Sequence, residues 1–187
     1  FMIANVLAAS LASYLYGFKT DDISLSLQTF IPSAAQTPGR MNIFDFKKFK
    51  VLIDFAHNPA GYRGVEDYLS SVEATKKIGI IAGVGDRRDE DIKECATIAA
   101  RMFDHIIIRQ EKYLRGRTED EIINLILDGI NASGKSVTHE IIPKETEAIK
   151  HAINSAQEGS FITALSDVVT NAIEIVQEYL DKENEDA

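Results

Sequence analysis

Polar residues that could bind an anionic ligand come directly after an apolar segment in "VLIDFAHNPAGY" (51–62). A carboxylate such as Asp54 can accept hydrogen bonds from a ribose or position a cation, and His57 can donate a hydrogen bond to a phosphate. The alternative is a structural turn, in which Asn58 caps a helix and Asp54 is buried and bonded to backbone amides. The spacing of these residues favours neither interpretation.

A second polar segment, "GVGDRRDED" (83–91), also comes after an apolar run. Its glycines allow a close approach of the backbone to a ligand, and Arg87 and Arg88 can each hold a carboxylate or a phosphate with two hydrogen bonds. The segment departs from the dinucleotide-binding fingerprint because Arg88 stands where the third glycine would be. A solvated helix start is the alternative, and we favour a binding role for Asp86, Arg87 and Arg88.

Two more polar loops are predicted after apolar runs. Arg115 and Arg117 flank a glycine in "LRGR" (114–117), and Asp167 follows the run 160–166. Surface arginines are common, so the arginine pair alone is weak evidence for a site. If the strands are parallel, however, all loops that follow strands lie at one edge of the sheet, where such folds bind ligands.

One apparent motif does not fit its usual mechanism. The segment "GINASGKS" (129–136) matches the phosphate-binding loop pattern of nucleoside triphosphatases. That loop needs a strand before it and a helix after it, whereas here a helical pattern precedes and a strand pattern follows. We therefore expect Gly134 to end a helix.

Short apolar runs alternate with amphipathic helical patterns from residue 50 onward. Continuous apolar runs are typical of strands that are covered on both faces, and their alternation with helices predicts an α/β fold with a Rossmann-like, mostly parallel sheet. The predicted strands are 50–56, 77–83, 105–110, 137–142 and 160–166, with 40–46 as a further strand paired to 50–56, and the predicted helices are about 59–74, 88–103, 118–132, 144–157 and 167–182.

Helix-capping signals support these boundaries. Asn58 precedes a proline, and Thr118 and Glu121 have the spacing of a capping box. Residues 1–30 read as two helices, and the turn-rich linker that follows predicts a domain boundary near residue 37.

Composition limits the classes of function. The chain has 187 residues, of which 45% are hydrophobic and 26% charged, as in one globular domain with an appendage. Its formal charge of -9 argues against a nucleic-acid partner, and no apolar stretch approaches the roughly 18 residues that predict a membrane span. The apolar opening "FMIANVLAASLASYLYGF" lacks the charged start of a signal peptide, so we interpret it as an internal helix of a longer protein.

The only cysteine, Cys95, lies in a helical apolar pattern and is expected to be a buried core thiol. One cysteine forms no internal disulfide, which suits a reducing compartment and predicts a cytoplasmic protein. The four histidines have no metal-ligand spacing, so the sequence predicts no metal site.

At "TPGRMNIFDF" (37–46) and "DFAHNP" (54–59) the sequence resembles the C-terminal domains of the Mur ligase family. "GDRRDED", "RGR" and "LSDVVTNAIEIV" narrow the resemblance to the Mur-like C-terminal region of cyanophycin synthetases, over essentially the whole chain. The resemblance implies an enzyme that uses ATP and Mg²⁺ to activate a carboxylate as an acyl phosphate, which an amine then attacks. In this subfamily arginine would be added to the aspartate side chains of a growing poly-aspartate backbone.

The resemblance also implies roles for individual residues. Phe55 stands where the family has tyrosine, and Phe1 where it often has a histidine four positions before the asparagine that matches Asn5. The implied ATP-binding residues are Arg40 at the phosphates, Asp54 at the ribose, Asn5 near the adenine and His57 near the phosphates; the implied amino-acid-binding residues are Asp86, Arg87, Arg88, Arg115, Arg117 and Ser166.

By the same resemblance, residues 1–36 would be a helical remnant of a central ATPase domain and residues 37–187 the C-terminal domain. The Mg²⁺ ligands would lie in that central domain, this chain would hold no catalytic residue, and alone it would be inactive. The apolar face around Ile3, Leu7, Leu11 and Leu15 would then need another cover, either the sheet domain or a second copy in a homo-oligomer.

Two alternatives stay open. One is the C-terminal domain of a cell-wall Mur ligase that adds an amino acid to a muropeptide. The other is a non-catalytic module that binds a nucleotide or a protein, which fold alone does not exclude.

Overall fold

A six-stranded sheet forms the centre of the computed structural model, which describes residues 2–30, 33–111 and 114–185. The strands are β1 (Asn42–Asp45), β2 (Lys50–Asp54), β3 (Lys76–Ile81), β4 (His105–Ile108), β5 (Thr138–Ile141) and β6 (Ser160–Leu165). Their order in the sheet is β1-β2-β6-β3-β4-β5, with β1 antiparallel to β2 and all other pairs parallel. This arrangement confirms the predicted fold class.

Helices cover both faces of the sheet and create two apolar cores. The helices are α1 (Met2–Leu15), α2 (Thr20–Thr29), α3 (Pro59–Ser70), α4 (Asp89–Met102), α5 (Glu119–Ala132), α6 (Glu145–Asn154) and α7 (Val169–Glu185). On one face Leu52, Ile81 and Ile106 pack against helices α3, α4 and α5. On the other face Val51 and Ile80 pack against α6 and α7. The strands are continuous apolar runs because both of their faces are buried.

The helix ends have the predicted capping interactions. Asn58 accepts a hydrogen bond from the Gly61 amide at 2.9 Å, and Thr118 and Glu121 form both halves of a capping box. Gly134 has a φ of 70° just beyond α5 and ends that helix, as predicted. The phosphate-binding-loop pattern therefore lies between a helix and β5, in the wrong order to hold a phosphate.

Cys95 is buried in α4, as predicted, and burial raises the pKa of its thiol to about 12. Such a thiol stays protonated near neutral pH, so it acts as a small apolar core residue.

Helices α1 and α2 contact each other and expose most of their apolar side chains. Ile3 is 76% exposed, Leu7 64% and Leu11 59%. The sheet domain leaves this face exposed, so of the two covers left open by the sequence it is not the sheet domain that supplies one in this structure. Of the helices in the described ranges, none is long and apolar enough to cross a membrane.

The capping box predicts a measurable contribution to stability. Thr118→Ala removes the acceptor for the Glu121 amide, so we expect a loss of about 1 kcal/mol in the free energy of unfolding, measured in urea. Thr170→Ala, at an exposed threonine in the first turn of α7, is the matched control and should change it by less than about 0.5 kcal/mol. Equal effects of the two substitutions would show that the box does not stabilise α5.

Candidate functional site

The polar loops singled out in the sequence meet at one edge of the sheet. Strands β2, β6, β3 and β4 are consecutive neighbours and parallel, so the loops that follow them leave from the same side. Two adjoining cavities lie between these loops and share His57, Tyr62 and Val84. One of them also contacts Arg87, and the other contacts Ser166.

Asp54 lies at the end of β2 and is only 5% exposed. Its Oδ2 accepts a hydrogen bond from the Met41 amide at 2.9 Å, and its Oδ1 accepts one from the Ala56 amide at 2.8 Å. Burial raises the pKa of this carboxyl, and the two amides counteract the rise. Asp54 thus makes the hydrogen bonds expected for a structural turn, in which it is buried and bonded to backbone amides. Through these bonds it connects the linker before β1 to the end of β2. Each oxygen retains a second lone pair, so a ribose contact stays a prediction.

The linker adopts a strained turn where Asp54 holds it. Gly39 and Met41 both have positive φ values, 70° and 52°, and a left-handed backbone is uncommon for a residue with a side chain such as Met41. The Asn42 side chain accepts from the Gly39 amide at 2.7 Å, and the Phe55 amide donates to the Gly39 carbonyl at 2.9 Å. Arg40 therefore lies in a turn whose neighbouring residues on both sides, Gly39 and Met41, are held by hydrogen bonds.

Arg40, Phe55 and His57 lie next to one another beside this turn, with the Phe55 and His57 rings tilted by 59°. The Arg40 guanidinium lies 5.5 Å from the centre of the Phe55 ring, and the Phe55 and His57 ring centres are 4.8 Å apart. His57 Nδ1 is 2.8 Å from the Phe55 carbonyl, which can only accept, so Nδ1 carries a proton. Neutral His57 therefore presents an unprotonated Nε2, and His57 can donate to a phosphate only as the imidazolium.

The loops after β3 and β4 are joined by their arginines. Arg117 donates to the Gly85 carbonyl at 3.0 Å and to the Arg87 carbonyl at 2.9 Å, and it pairs with Asp89 at 2.7 Å. Arg115 pairs with Asp86 across the same two loops. Two of the predicted substrate-binding arginines thus hold the loops together in this structure.

Arg88 and Arg87 point to different surroundings. Arg88 precedes α4, its side chain is 77% exposed, and it pairs with Asp91 at 2.9 Å. Arg87 lies against the cavity with His57, and its Nε is buried without a hydrogen-bond partner among the described residues. Arg87 is therefore better placed than Arg88 to receive an anionic group at the site.

Asn5 is the one predicted site residue outside the sheet domain. It is exposed on α1, the helix that contacts α2. The structure does not bring it together with the loops at the sheet edge.

Sequence reasoning missed a buried ion pair at the centre of the site. Arg109 is only 3% exposed; it donates to the Leu165 carbonyl at 2.9 Å and pairs with Asp167 at 2.6 Å. Its Nε is 3.4 Å from a carboxylate oxygen of Glu145. The sequence does contain a signal for this residue, because a charged side chain directly follows the apolar run 105–108. The predicted strand 105–110 included it as a strand residue, so it was not considered for the site.

Two further residues at this edge also escaped prediction as site residues. Glu111 accepts a hydrogen bond from the Gly85 amide at 3.3 Å, and burial raises its pKa. Tyr62 is 2% exposed and lines both cavities, and burial raises its pKa, so its phenol stays protonated.

The model of the family described as Mur ligase, glutamate ligase domain, matches residues 39–168. This chain belongs to the Mur ligase family. The match begins within the linker turn that presents Arg40 and includes every predicted site residue of the sheet domain.

Curated relatives place the Mur ligase chain beside two kinds of enzyme. It is 43% identical over 179 residues to cyanophycin synthetase of Geminocystis herdmanii, which covers 96% of this chain and 20% of that relative. It is 30% identical over 165 residues to UDP-N-acetylmuramoyl-L-alanyl-D-glutamate–2,6-diaminopimelate ligase of Aquifex aeolicus, covering 88% of this chain and 32% of that relative. The chain therefore spans a fifth to a third of the length of these relatives.

Solved structures share the fold at low sequence identity. A UDP-N-acetylmuramoyl-L-alanyl-D-glutamate–2,6-diaminopimelate ligase superposes with a TM-score of 0.66 at 21% identity, over 97% of this chain and 38% of that one. E. coli FolC in complex with ADP superposes with a TM-score of 0.68 at 17% identity, over 97% of this chain and 40% of that one. These likenesses confirm the Mur ligase fold.

The Asp54 hydrogen bonds predict a local effect of mutation. In Asp54→Asn one carboxylate oxygen becomes an NH₂ group, which cannot accept from a backbone amide. We expect hydrogen exchange at the Met41 or the Ala56 amide to become about 10-fold faster or more, as measured by NMR.

Asp104→Asn is the matched control for this prediction. Asp104 accepts from the Lys77 amide at 2.8 Å at the opposite end of the strands, so its replacement should leave the Met41 and Ala56 amides unchanged. Unchanged exchange at both amides in Asp54→Asn would show that Asp54 does not anchor the linker.

Proposed function

We propose that this chain is the C-terminal domain of an ATP-dependent ligase that adds arginine to aspartate side chains of a poly-aspartate backbone, as in cyanophycin synthetases. The main support is the 43% identity to a cyanophycin synthetase over 96% of the chain, against 30% over 88% for a muropeptide ligase. The site at the edge of β2, β6, β3 and β4 supplies both cationic and anionic side chains for a charged amino acid.

In the proposed reaction a carboxylate of the aspartate polymer attacks the γ-phosphorus of ATP. The products of this step are an acyl phosphate and ADP. The α-amine of arginine then attacks the acyl carbon, loses a proton and displaces inorganic phosphate, which forms the amide. Holding the amine next to the acyl phosphate converts the second step into a reaction between neighbouring groups, which is the main contribution that a binding domain can make.

The proposed nucleotide contacts come from the linker and the end of β2. Arg40 is exposed on a fixed turn and can reach phosphate oxygens, for which a guanidinium is well suited. His57 contacts Phe55 beside it, and its imidazolium would donate to the same phosphates. Asp54 would contact the ribose through lone pairs that the two backbone amides leave free, and Asn5 would approach the adenine from α1.

The proposed amino-acid contacts come from the loops after β3, β4 and β6. Arg87, with its buried Nε, is the candidate for the carboxylate of arginine. Ser166 lines the same site. Asp86, Arg88, Arg115 and Arg117 would contribute through the loops they hold, or directly if their ion pairs open on binding.

We assign residues 1–36 to a central ATPase domain and residues 37–187 to the C-terminal domain. The exposed apolar side chains of α1 support this division, because large apolar patches are usually covered by another part of the protein or by a partner. No three His, Cys, Asp or Glu side chains in the described part of the chain form a group that could hold a metal ion. The proposed Mg²⁺ ligands belong to the central domain, as the resemblance to the family implies.

The test uses the complete polypeptide that contains this chain, with ATP, Mg²⁺ and an aspartate-chain primer. Primer mass is followed after addition of arginine, lysine or 2,6-diaminopimelate. We expect a gain that matches arginine, lowered about 100-fold or more in rate by Arg40→Ala, which removes a charged contact to the phosphates. Arg63→Ala, at an exposed arginine on α3 that pairs with Glu94, is the matched control and should retain the activity.

Other products would favour the alternatives. A gain with 2,6-diaminopimelate on a muropeptide acceptor would support the cell-wall ligase, for which the identity to diaminopimelate ligases is the specific observation. Nucleotide binding without a mass gain on any acceptor would support the non-catalytic module.

A further inference from the structure

The buried side chain of Asn42 contacts the turn that carries Arg40. Asn42 is only 4% exposed and is the first residue of β1. Its Oδ1 accepts a hydrogen bond from the Gly39 amide at 2.7 Å. Its Nδ2 donates to the Thr37 carbonyl at 3.0 Å and to the Arg40 carbonyl at 3.4 Å. One side chain thus binds backbone groups of three linker residues.

These hydrogen bonds use both N–H groups of the Asn42 amide. The partners also determine which atom is the oxygen, because the Gly39 amide needs an acceptor and the two carbonyls need donors. Since Asn42 is buried and its donors are engaged, it can affect a bound nucleotide only through the residues that it holds.

The turn needs such support because its backbone conformation is uncommon. Met41 has a φ of 52°, in the left-handed region that a residue with a side chain rarely adopts, and Gly39 has a φ of 70°. Conformations of this kind persist only when the surrounding contacts enforce them. Asp54 accepts from the Met41 amide after Arg40, and Asn42 accepts from the Gly39 amide before it.

Gly39 also packs closely against the start of α7. A Cβ atom at this position would lie 2.6 Å from Cγ2 of Val169, so there is no space for a side chain. The turn is therefore packed against α7 and hydrogen-bonded to the first residue of β1.

The Arg40 side chain makes few contacts of its own. It is exposed, and its Nη1 is 3.5 Å from the Gly39 carbonyl, at the limit of a hydrogen bond. Its guanidinium lies 5.5 Å from the centre of the Phe55 ring. The position of the guanidinium thus depends mainly on the backbone of the turn, which Asn42 holds.

We propose that Asn42 is a positioning residue for the ligase reaction, which holds the linker turn so that Arg40 reaches the phosphates of ATP. This inference rests on the proposed function, in which Arg40 contacts those phosphates. Asn42 itself does not touch the nucleotide. A misplacement of about 1 Å at a contact of this kind can cost about 100-fold in rate, so a residue that acts only through Arg40 can have a large effect.

The test is a double-mutant cycle in the complete polypeptide, with kcat/KM for ATP as the measured quantity. We expect Asn42→Ala to lower it about 10-fold or more while Arg40 is present. In the Arg40→Ala background the same substitution should change it less than about 2-fold, because a residue that acts through Arg40 has no effect once the guanidinium is absent. A loss of folding would instead lower kcat/KM in both backgrounds alike.

Two further variants separate positioning from stability. Asn42→Ser retains a hydroxyl that can bind one of the three backbone groups, so it should be more stable and more active than Asn42→Ala, with no effect in the absence of Arg40. Asn154→Ala removes a hydrogen bond to the Tyr179 hydroxyl at the end of α6 and is the matched control, which should leave kcat/KM unchanged. All variants are compared at a temperature well below their measured unfolding midpoints.

The outcomes distinguish this inference from the function on which it rests. Equal losses with and without Arg40 would overturn it, because Asn42 would then act on the fold or on another part of the site. An unchanged kcat/KM in Asn42→Ala would also overturn it, with the proposed ligase activity intact. No mass gain in the unmutated enzyme with any amino acid would overturn both proposals together.

Discussion

The position of β6 between β2 and β3 determines where the polar loops after β2, β3 and β6 lie. It is the last strand in the sequence, and all six of its residues are buried. Its parallel pairing on both sides brings the ends of β2 and β3 to one edge, although their residues are far apart in the chain. Without this strand β2 and β3 would not be held side by side, and the loop with His57 would not lie next to the loop with Arg87. The site is thus a consequence of strand order.

Much of this fold could be predicted from local pattern. The apolar runs placed all six strands, and Asn58, Thr118 and Gly134 marked helix ends because capping depends on neighbouring residues only. The role of Arg109 could not be predicted in the same way. Its partners, Leu165 and Asp167, lie on a strand and loop more than fifty residues away, so the ion pair depends on strand order.

Asp54 shows why spacing alone left two interpretations open. Its carboxylate does hold backbone amides, and one of them belongs to the linker turn of Met41 rather than to its own loop. A contact from residue 54 to residue 41 has no local signature. The same carboxylate can serve a nucleotide only through its remaining lone pairs, so nucleotide binding and linker position would be coupled at one side chain.

The arginines of the site divide into two groups by their partners. Arg115 and Arg117 pair with Asp86 and Asp89 and fasten two loops. Their charges are compensated, and a free carboxylate would have to displace an existing partner to bind them. Arg87 has a buried Nε with no hydrogen-bond partner in the described ranges, so an anionic group could bind there without breaking a contact to that atom. The carboxylates of Asp167 and Glu145, which pair with the buried Arg109, lie at the same edge of the sheet, so side chains of both charge signs border the proposed site.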